Sequence, residues 1–188
     1  MREFDPEARI ETERLLLRPL KVEDTHSIFI NINHDKSVLT YFLDRYKESE
    51  SEMNLERLIS YYKDSKKYCF AMERKDNNEV IGMIFQCSAP DLYFKSSEVG
   101  FAIGRRHWNK GYMTEAFKAM IDFLFSIGVH KVVAAHLEGN EASKRVMEKC
   151  GMVYEGKRVD DVYYHGRFHD THYFYLINPK DLPNMPPR

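Results

Sequence analysis

Cysteine is scarce in this chain: Cys69, Cys87 and Cys150 are the only three in 188 residues. Their number is odd and no two share CxxC spacing, so no disulfide framework or thiolate metal clamp is encoded. Buried free thiols in a reducing cytoplasm are the expectation. Long apolar runs are missing too. None approaches the roughly 18–20 residues that a membrane helix needs, and Met1-Arg2-Glu3-Phe4-Asp5-Pro6 has no hydrophobic signal core. Nor does charge of one sign prevail: 28 Lys and Arg meet 29 Asp and Glu, a formal charge of −1. That balance offers no broad attraction to nucleic acid or to a membrane surface. There is no internal repeat and no domain linker.

Several motifs are also absent. Gly100 and Gly104 precede bulky residues, so there is no GxGxxG. Gly111 follows Lys110, and Tyr112-Met113 stand where a phosphate loop needs Lys-Ser/Thr, so there is no Walker lysine. His165, His169 and His172 come without HExxH or a Cys/His set. In a strand, residues four apart share a face and residues three apart do not. No metal is expected there.

What is present is a soluble composition, 43% apolar and 30% charged, enough for one core in one domain. Met113, Ala116, Phe117, Met120, Ile121, Leu124 and Ile127 recur at three- and four-residue steps, which predicts a helix stopped by Gly128. Before it, a strand-like Glu98–Ile103 run enters the basic loop Arg105-Arg106-His107-Trp108-Asn109-Lys110-Gly111. A helix start has N–H groups without intrahelical partners and a partial positive charge. A basic loop feeding such an end suits a small phosphate-bearing ligand.

The remaining pattern predicts strands at 14–18, 68–72, 80–85, 97–103 and 131–136. Helices are expected up to about Asn33, over 53–62, and from the N-cap Asn140 to Cys150. Residues 152–164 and 167–176 flank Gly166 as a final aromatic hairpin, a surface through which two subunits could pair. The order β-α-α-β-β-β-α-β-α-β-β predicts an α+β domain: a mixed, mostly antiparallel sheet of about seven strands with about four helices. The domain is expected over 10–182, with a loose tail over 183–188.

This order resembles the GCN5-related N-acetyltransferases, and within them the ribosomal-protein N-terminal acetyltransferases. The resemblance rests on Ile10-Glu11-Thr12-Glu13-Arg14-Leu15-Leu16-Leu17-Arg18-Pro19-Leu20, on Glu98-Val99-Gly100-Phe101, and on Trp108 through Ala116. It extends through Asn140-Glu141-Ala142-Ser143, Glu148 to Met152, and Gly166 to Asp170 followed by Tyr173. It implies acetyl-CoA as acyl donor and an amine as acceptor, most simply a protein N-terminus. A polyamine or small amine would need similar chemistry, and a non-catalytic acyl-CoA-binding module is the alternative of another class. The family's loop Gln/Arg-x-x-Gly-x-Gly/Ala maps onto Trp108 to Met113, departing at both ends. Phe101, Ala102, Ile103, Trp108, Asn109, Lys110, Gly111, Tyr112, Met113, Thr114, Asn140 and Ser143 are thereby expected to hold the cofactor.

Acetyl transfer must remove a proton from the ammonium, stabilise an oxyanion and assist the leaving thiolate. The resemblance puts Glu98 near the acceptor amine as base; a solvated carboxylate paired with a cation is the plain alternative. Backbone N–H groups near Gly100-Phe101-Ala102 suit the oxyanion. Many members of the superfamily place a tyrosine seven residues after the asparagine, where Met147 stands here and can donate nothing. The resemblance to the ribosomal-protein branch, which uses a serine three residues after this asparagine, implies that Ser143 serves the thiolate and Asn140 the pantetheine arm. Cys150, among apolar residues at a helix end, is not expected to be a nucleophile.

Overall fold

The computed structural model describes residues 3–90 and 93–184. Eight strands form one sheet in the order β1-β2-β3-β4-β5-β6-β8-β7. They are β1 (Ile10–Glu11), β2 (Leu15–Pro19), β3 (Cys69–Arg74), β4 (Val80–Gln86), β5 (Ser96–Ile103), β6 (Lys131–Leu137), β7 (Val153–Tyr164) and β8 (Arg167–Ile177). All neighbours are antiparallel except β5 and β6. The mixed α+β sheet is the expected one with one strand more. β1 is two residues long, too short to show a period, and exists through pairing Ile10 with Leu17.

Among the described residues five α-helices accompany the sheet: α1 (Thr25–Ile28), α2 (Lys36–Leu39), α3 (Leu55–Asp64), α4 (Tyr112–Ser126) and α5 (Glu141–Lys149). The single helix expected up to Asn33 is instead a 3-10 turn (Val22–Asp24), α1 and a π turn (Phe29–Asn33). The π winding adds a residue per turn. Within it, buried Asn31 donates to the Val80 carbonyl at 3.0 Å and buried Asn33 to the Asp44 carboxylate at 2.8 Å. Helical periodicity does not anticipate such buried amides. Pro179–Asn184 is a 3-10 turn, and residues 185–188, most of the expected tail, lie outside the described residues.

α4 buries Met113, Ala116, Phe117, Met120, Ile121 and Leu124 against Val99, Val132 and Ala134. A fully buried side chain of this size contributes roughly 1.5–3 kcal/mol, so packing rather than propensity holds the helix. Gly128 at φ +98° ends it, with Val129 N–H on the Leu124 carbonyl at 3.0 Å. On the other face Leu20, Ile28, Ile32 and Leu55 cover Ala71, Val80, Met83 and Ala102. No described residue of β6, β7 or β8 belongs to that second cluster. The alternate positions Val133, Ala135 and Tyr173 therefore occupy an uncovered sheet face.

Arg18 closes the front of the sheet as a buried cation. Its guanidinium donates to both oxygens of Asp24 at 2.8 Å and to Glu73 at 2.6 Å. Those hydrogen bonds to Asp24 come first in holding the group ionised, against the opposing effect of burial.

Candidate active site

The site begins where two strands part. β5 and β6 are paired from Ser96/Lys131 to Glu98/Val133 and no further. Beyond Glu98, β5 stays with β4 as far as Ile103, while β6 stays with β8 as far as Leu137. A cleft of about 960 Å³ opens between them. Hydrogen bonds to β4 use alternate residues, as antiparallel ladders require: Cys87 N–H meets the Glu98 carbonyl and Gly104 N–H the Ile81 carbonyl. The amides of Gly100 and Ala102 are spent on that ladder. Those of Phe101 and Ile103 face the cleft, which narrows the expected oxyanion donors to Phe101.

The loop beyond β5 is built from unusual backbone. Asn109 has φ +58° and Gly111 φ +81°, both left-handed. No side chain caps α4 at Gly111. The six consecutive N–H groups from Asn109 to Thr114 have no acceptor among the described residues. Runs of free amides around left-handed residues make anion-binding concavities. The Trp108 indole donates to the Ile103 carbonyl at 2.8 Å, tying the loop to the end of β5. From the other side, Arg14 donates to the Lys110 carbonyl at 3.0 Å and to Glu115 at 2.7 Å, and stacks 4.4 Å over the Tyr112 ring. Burial alone would raise the Glu115 pKa, but hydrogen bonds from Thr12 and Arg14 outweigh it and keep the carboxylate below its usual range.

Glu98 sits at the apex of the wedge. It is partly buried, and its side chain makes no hydrogen bond or ion pair among the described residues. Burial raises its pKa above the ordinary range; nearby Arg158 pulls the other way and Asp161 reinforces the rise. Tyr173 lines the same wall from β8. Its hydroxyl accepts from Arg158 at 3.0 Å and lies 3.4 Å from Asp161, with the guanidinium 4.2 Å over its ring. Burial, then Glu98, raises the phenol's pKa, so it stays neutral.

The far wall is α5. The Asn140 Oδ1 accepts the Ser143 N–H at 3.2 Å, a true N-cap, and its Nδ2 remains available. The Ser143 hydroxyl lines the cleft with no partner among the described residues. Met147 is 0% exposed and packs in the core, so the position where the superfamily often has tyrosine does not face the cleft. Burial pushes the Cys150 thiol up to about 11. Cys87, by contrast, is exposed and lines the cleft, against the expectation of three buried thiols.

Of the expected residues, Glu98, Phe101, Ala102, Ile103, Trp108, Asn109, Gly111, Tyr112, Met113, Thr114, Asn140 and Ser143 all line this one cleft. Lys110 does not; it contributes its N–H to the free run and its carbonyl to Arg14. Sequence reasoning missed the segment around α2, where Thr40, Tyr41, Phe42 and Leu43 line the cleft. It also missed Arg145 and Lys149 on α5, whose four-residue spacing was a readable signal of a basic stripe. The histidines have structural roles: His169 lies 3.0 Å from the Tyr164 carbonyl, and His172 stacks on His136.

The family model described as acetyltransferase (GNAT) domain matches residues 14–153. The uncharacterized N-acetyltransferase YoaA of Bacillus subtilis is 27% identical over 92% of this chain and 98% of its own length. The [ribosomal protein uS5]-alanine N-acetyltransferase of Escherichia coli is 22% identical, covering 95% of each chain. A crystal structure of spermidine N-acetyltransferase from Vibrio cholerae, in complex with CoA and spermine, superposes with a TM-score of 0.77. It is 26% identical over 91% of this chain and 99% of that one.

Proposed function

The chain is an N-acetyltransferase of the GNAT family, and we propose that it acetylates the N-terminal α-amine of a polypeptide, as the ribosomal-protein enzymes do. Acetyl-CoA, the family's acyl donor, supplies an activated thioester when bound. The residues present fit it. The free amides of Asn109–Thr114 would hold a pyrophosphate, Arg145 and Lys149 add positive charge beside the cleft, and Asn140 can donate to an amide-bearing arm. The domain is taken as 10–182.

Glu98 accepts the proton of the incoming ammonium, directly or through a water. Its raised pKa suits that task, since a base works best when its pKa approaches the operating pH. The Phe101 N–H, turned into the cleft, donates to the developing oxyanion. The Ser143 hydroxyl donates to the departing sulfur, a role that Met147 cannot fill.

One observation supports the peptide acceptor. The wall carries two carboxylates, and Glu141 is paired with Lys144 at 3.7 Å. Glu98 is the one left without a partner among the described residues, and Phe42, Leu43, Phe85 and Val162 around it are neutral. Such a site receives one ammonium followed by a neutral chain. On the lining of this cleft a polyamine's further cations would find no other free carboxylate, and Arg158 lies beside the base. The second reading, a polyamine acceptor, draws support from the 26% identity to a spermidine acetyltransferase. Thiol release from acetyl-CoA with a panel of N-terminal peptides and spermidine decides: faster turnover on peptides supports the proposal, and turnover on spermidine alone overturns it.

A further inference from the structure

A second cavity of about 380 Å³ lies on the uncovered face of the sheet, and Glu98 and Tyr173 belong to its wall as well as to the main cleft. The base therefore stands between two spaces. The donor loop, α5 and Ser143 border only the main cleft; Ser88, Lys131, Glu155, Lys157 and Arg158 border only the second. A molecule whose amine reaches Glu98 has room to continue along β7 into this second space.

The charges there are unequal. Lys131 is ion-paired with Glu155, and Lys157 with Asp170 at 2.7 Å. Arg158 has no carboxylate partner among the described residues. It is held by the neutral hydroxyl and ring of Tyr173, and Asp161, which meets that hydroxyl at 3.4 Å, makes no ion pair with it. The Asp161 carboxylate is instead taken by the Thr171 hydroxyl. Once an ammonium occupies Glu98, Arg158 is the one cation on this wall without a counter-charge. Its remaining N–H donors form a planar fork suited to a carboxylate. β7 is bulged between Arg158 and Val162, with Asp160 at φ +51°, which breaks the regular alternation of side chains at this point.

We propose that this second cavity is the subsite for the residues following the acceptor's N-terminal one, and that Arg158 selects a carboxylate side chain at position two or three. This rests on the peptide N-terminus reading above and specifies the acceptor within it. Arg158 is a specificity residue here and takes no part in bond making.

The test uses the full chain and matched peptides with the same N-terminal residue and Asp, Ala or Lys at positions two and three. Wild-type kcat/KM should favour Asp over Lys by roughly fivefold or more, the upper end for an exposed ion pair. Arg158→Glu should reverse the order, and Arg158→Gln should flatten it. The KM for acetyl-CoA should stay unchanged in both, which a general loosening of the fold would not give. An order unaffected by Arg158→Glu, with all peptides still acetylated, overturns the subsite while leaving the peptide reading intact. Turnover on spermidine with none on any peptide overturns both.

Discussion

The hydroxyl of Tyr164 donates to the carbonyl oxygen of Leu39 at 2.8 Å, across 125 residues of chain. The carbonyls of Phe42 and Asp44 lie at 2.9 and 3.0 Å from the same oxygen. One proton is shared among three acceptors, so the end of β7 is pinned to the segment after α2. Val162 of β7 and Thr40, Tyr41, Phe42 and Leu43 of that segment line the cleft, on the side where we place the acceptor.

Tyr164→Phe should therefore raise the acceptor KM and leave the acetyl-CoA KM alone. A net hydrogen bond is worth about 0.5–1.5 kcal/mol, so the acceptor effect should be roughly two- to tenfold. Initial-rate kinetics with each substrate varied in turn separate the two. Equal rises in both constants would mean that the pin supports the whole cleft.

Glu98→Gln should lower the rate roughly 10²–10⁴-fold, as for loss of a general base, with acetyl-CoA affinity nearly intact by calorimetry. In the wild type, kcat/KM should rise with pH through the raised Glu98 pKa, because the deprotonated form is the base. The stability effect has the opposite sense. A carboxyl whose folded pKa lies above its unfolded value destabilises the ionised fold, fully above the folded pKa and not at all below the unfolded one. Glu98→Gln should thus melt higher than wild type at neutral pH, with the difference vanishing in acid. An equal or lower melting temperature at pH 7 would contradict the burial argument.

Ser143→Ala should slow the chemical step roughly 10–10³-fold and spare acetyl-CoA binding. Tyr173→Phe should cost less, since that hydroxyl is engaged by Arg158 and Asp161. Single-turnover rates compare them directly. A Tyr173→Phe enzyme without chemistry beside a normal Ser143→Ala enzyme would move the acid role to the tyrosine.

Gly111→Ala should weaken acetyl-CoA binding. At φ +81° a side chain is strained by roughly 1–2 kcal/mol, and its Cβ would lie 3.4 Å from Arg14. Relief of that strain would turn the free amides of the loop away from a common centre. Calorimetric titration with CoA measures it; unchanged affinity would place the phosphates elsewhere.

Asp24→Asn should destabilise the fold by about 3–5 kcal/mol, the usual consequence of breaking a buried ion pair. Arg18 and Asp24 are 7% and 5% exposed, and Glu73 alone cannot satisfy both ends of the guanidinium. Urea unfolding at neutral pH checks it, and a change under 1 kcal/mol would mean that water replaces the lost partner.

Much of the donor half of the site was legible because its signals are local. The stripe of α4, the uncapped start at Gly111 and the Asn140–Ser143 turn each lie within a few residues, where periodicity and capping chemistry operate. The acceptor half was not. Tyr164 reads as one more aromatic in a strand, and Leu39 belongs to a helix four residues long, below the length at which a period can be recognised.

By itself the sequence determined the kinds and order of the longer elements, though not β1, α1 or α2, and which face of each is apolar. Those depend on 3.6- and 2-residue spacings that any segment carries within itself. It also determined that Met147 could not be an acid, which is a matter of side-chain chemistry. Only the tertiary structure decided where β5 and β6 part, that Glu98 would lack a partner, and that Tyr173, 75 residues later, would join it on a shared wall. A strand's side-chain period states what it buries and leaves open which strand lies beside it. Neighbours are chosen by the packing of the whole sheet, and the site lies where that pairing stops.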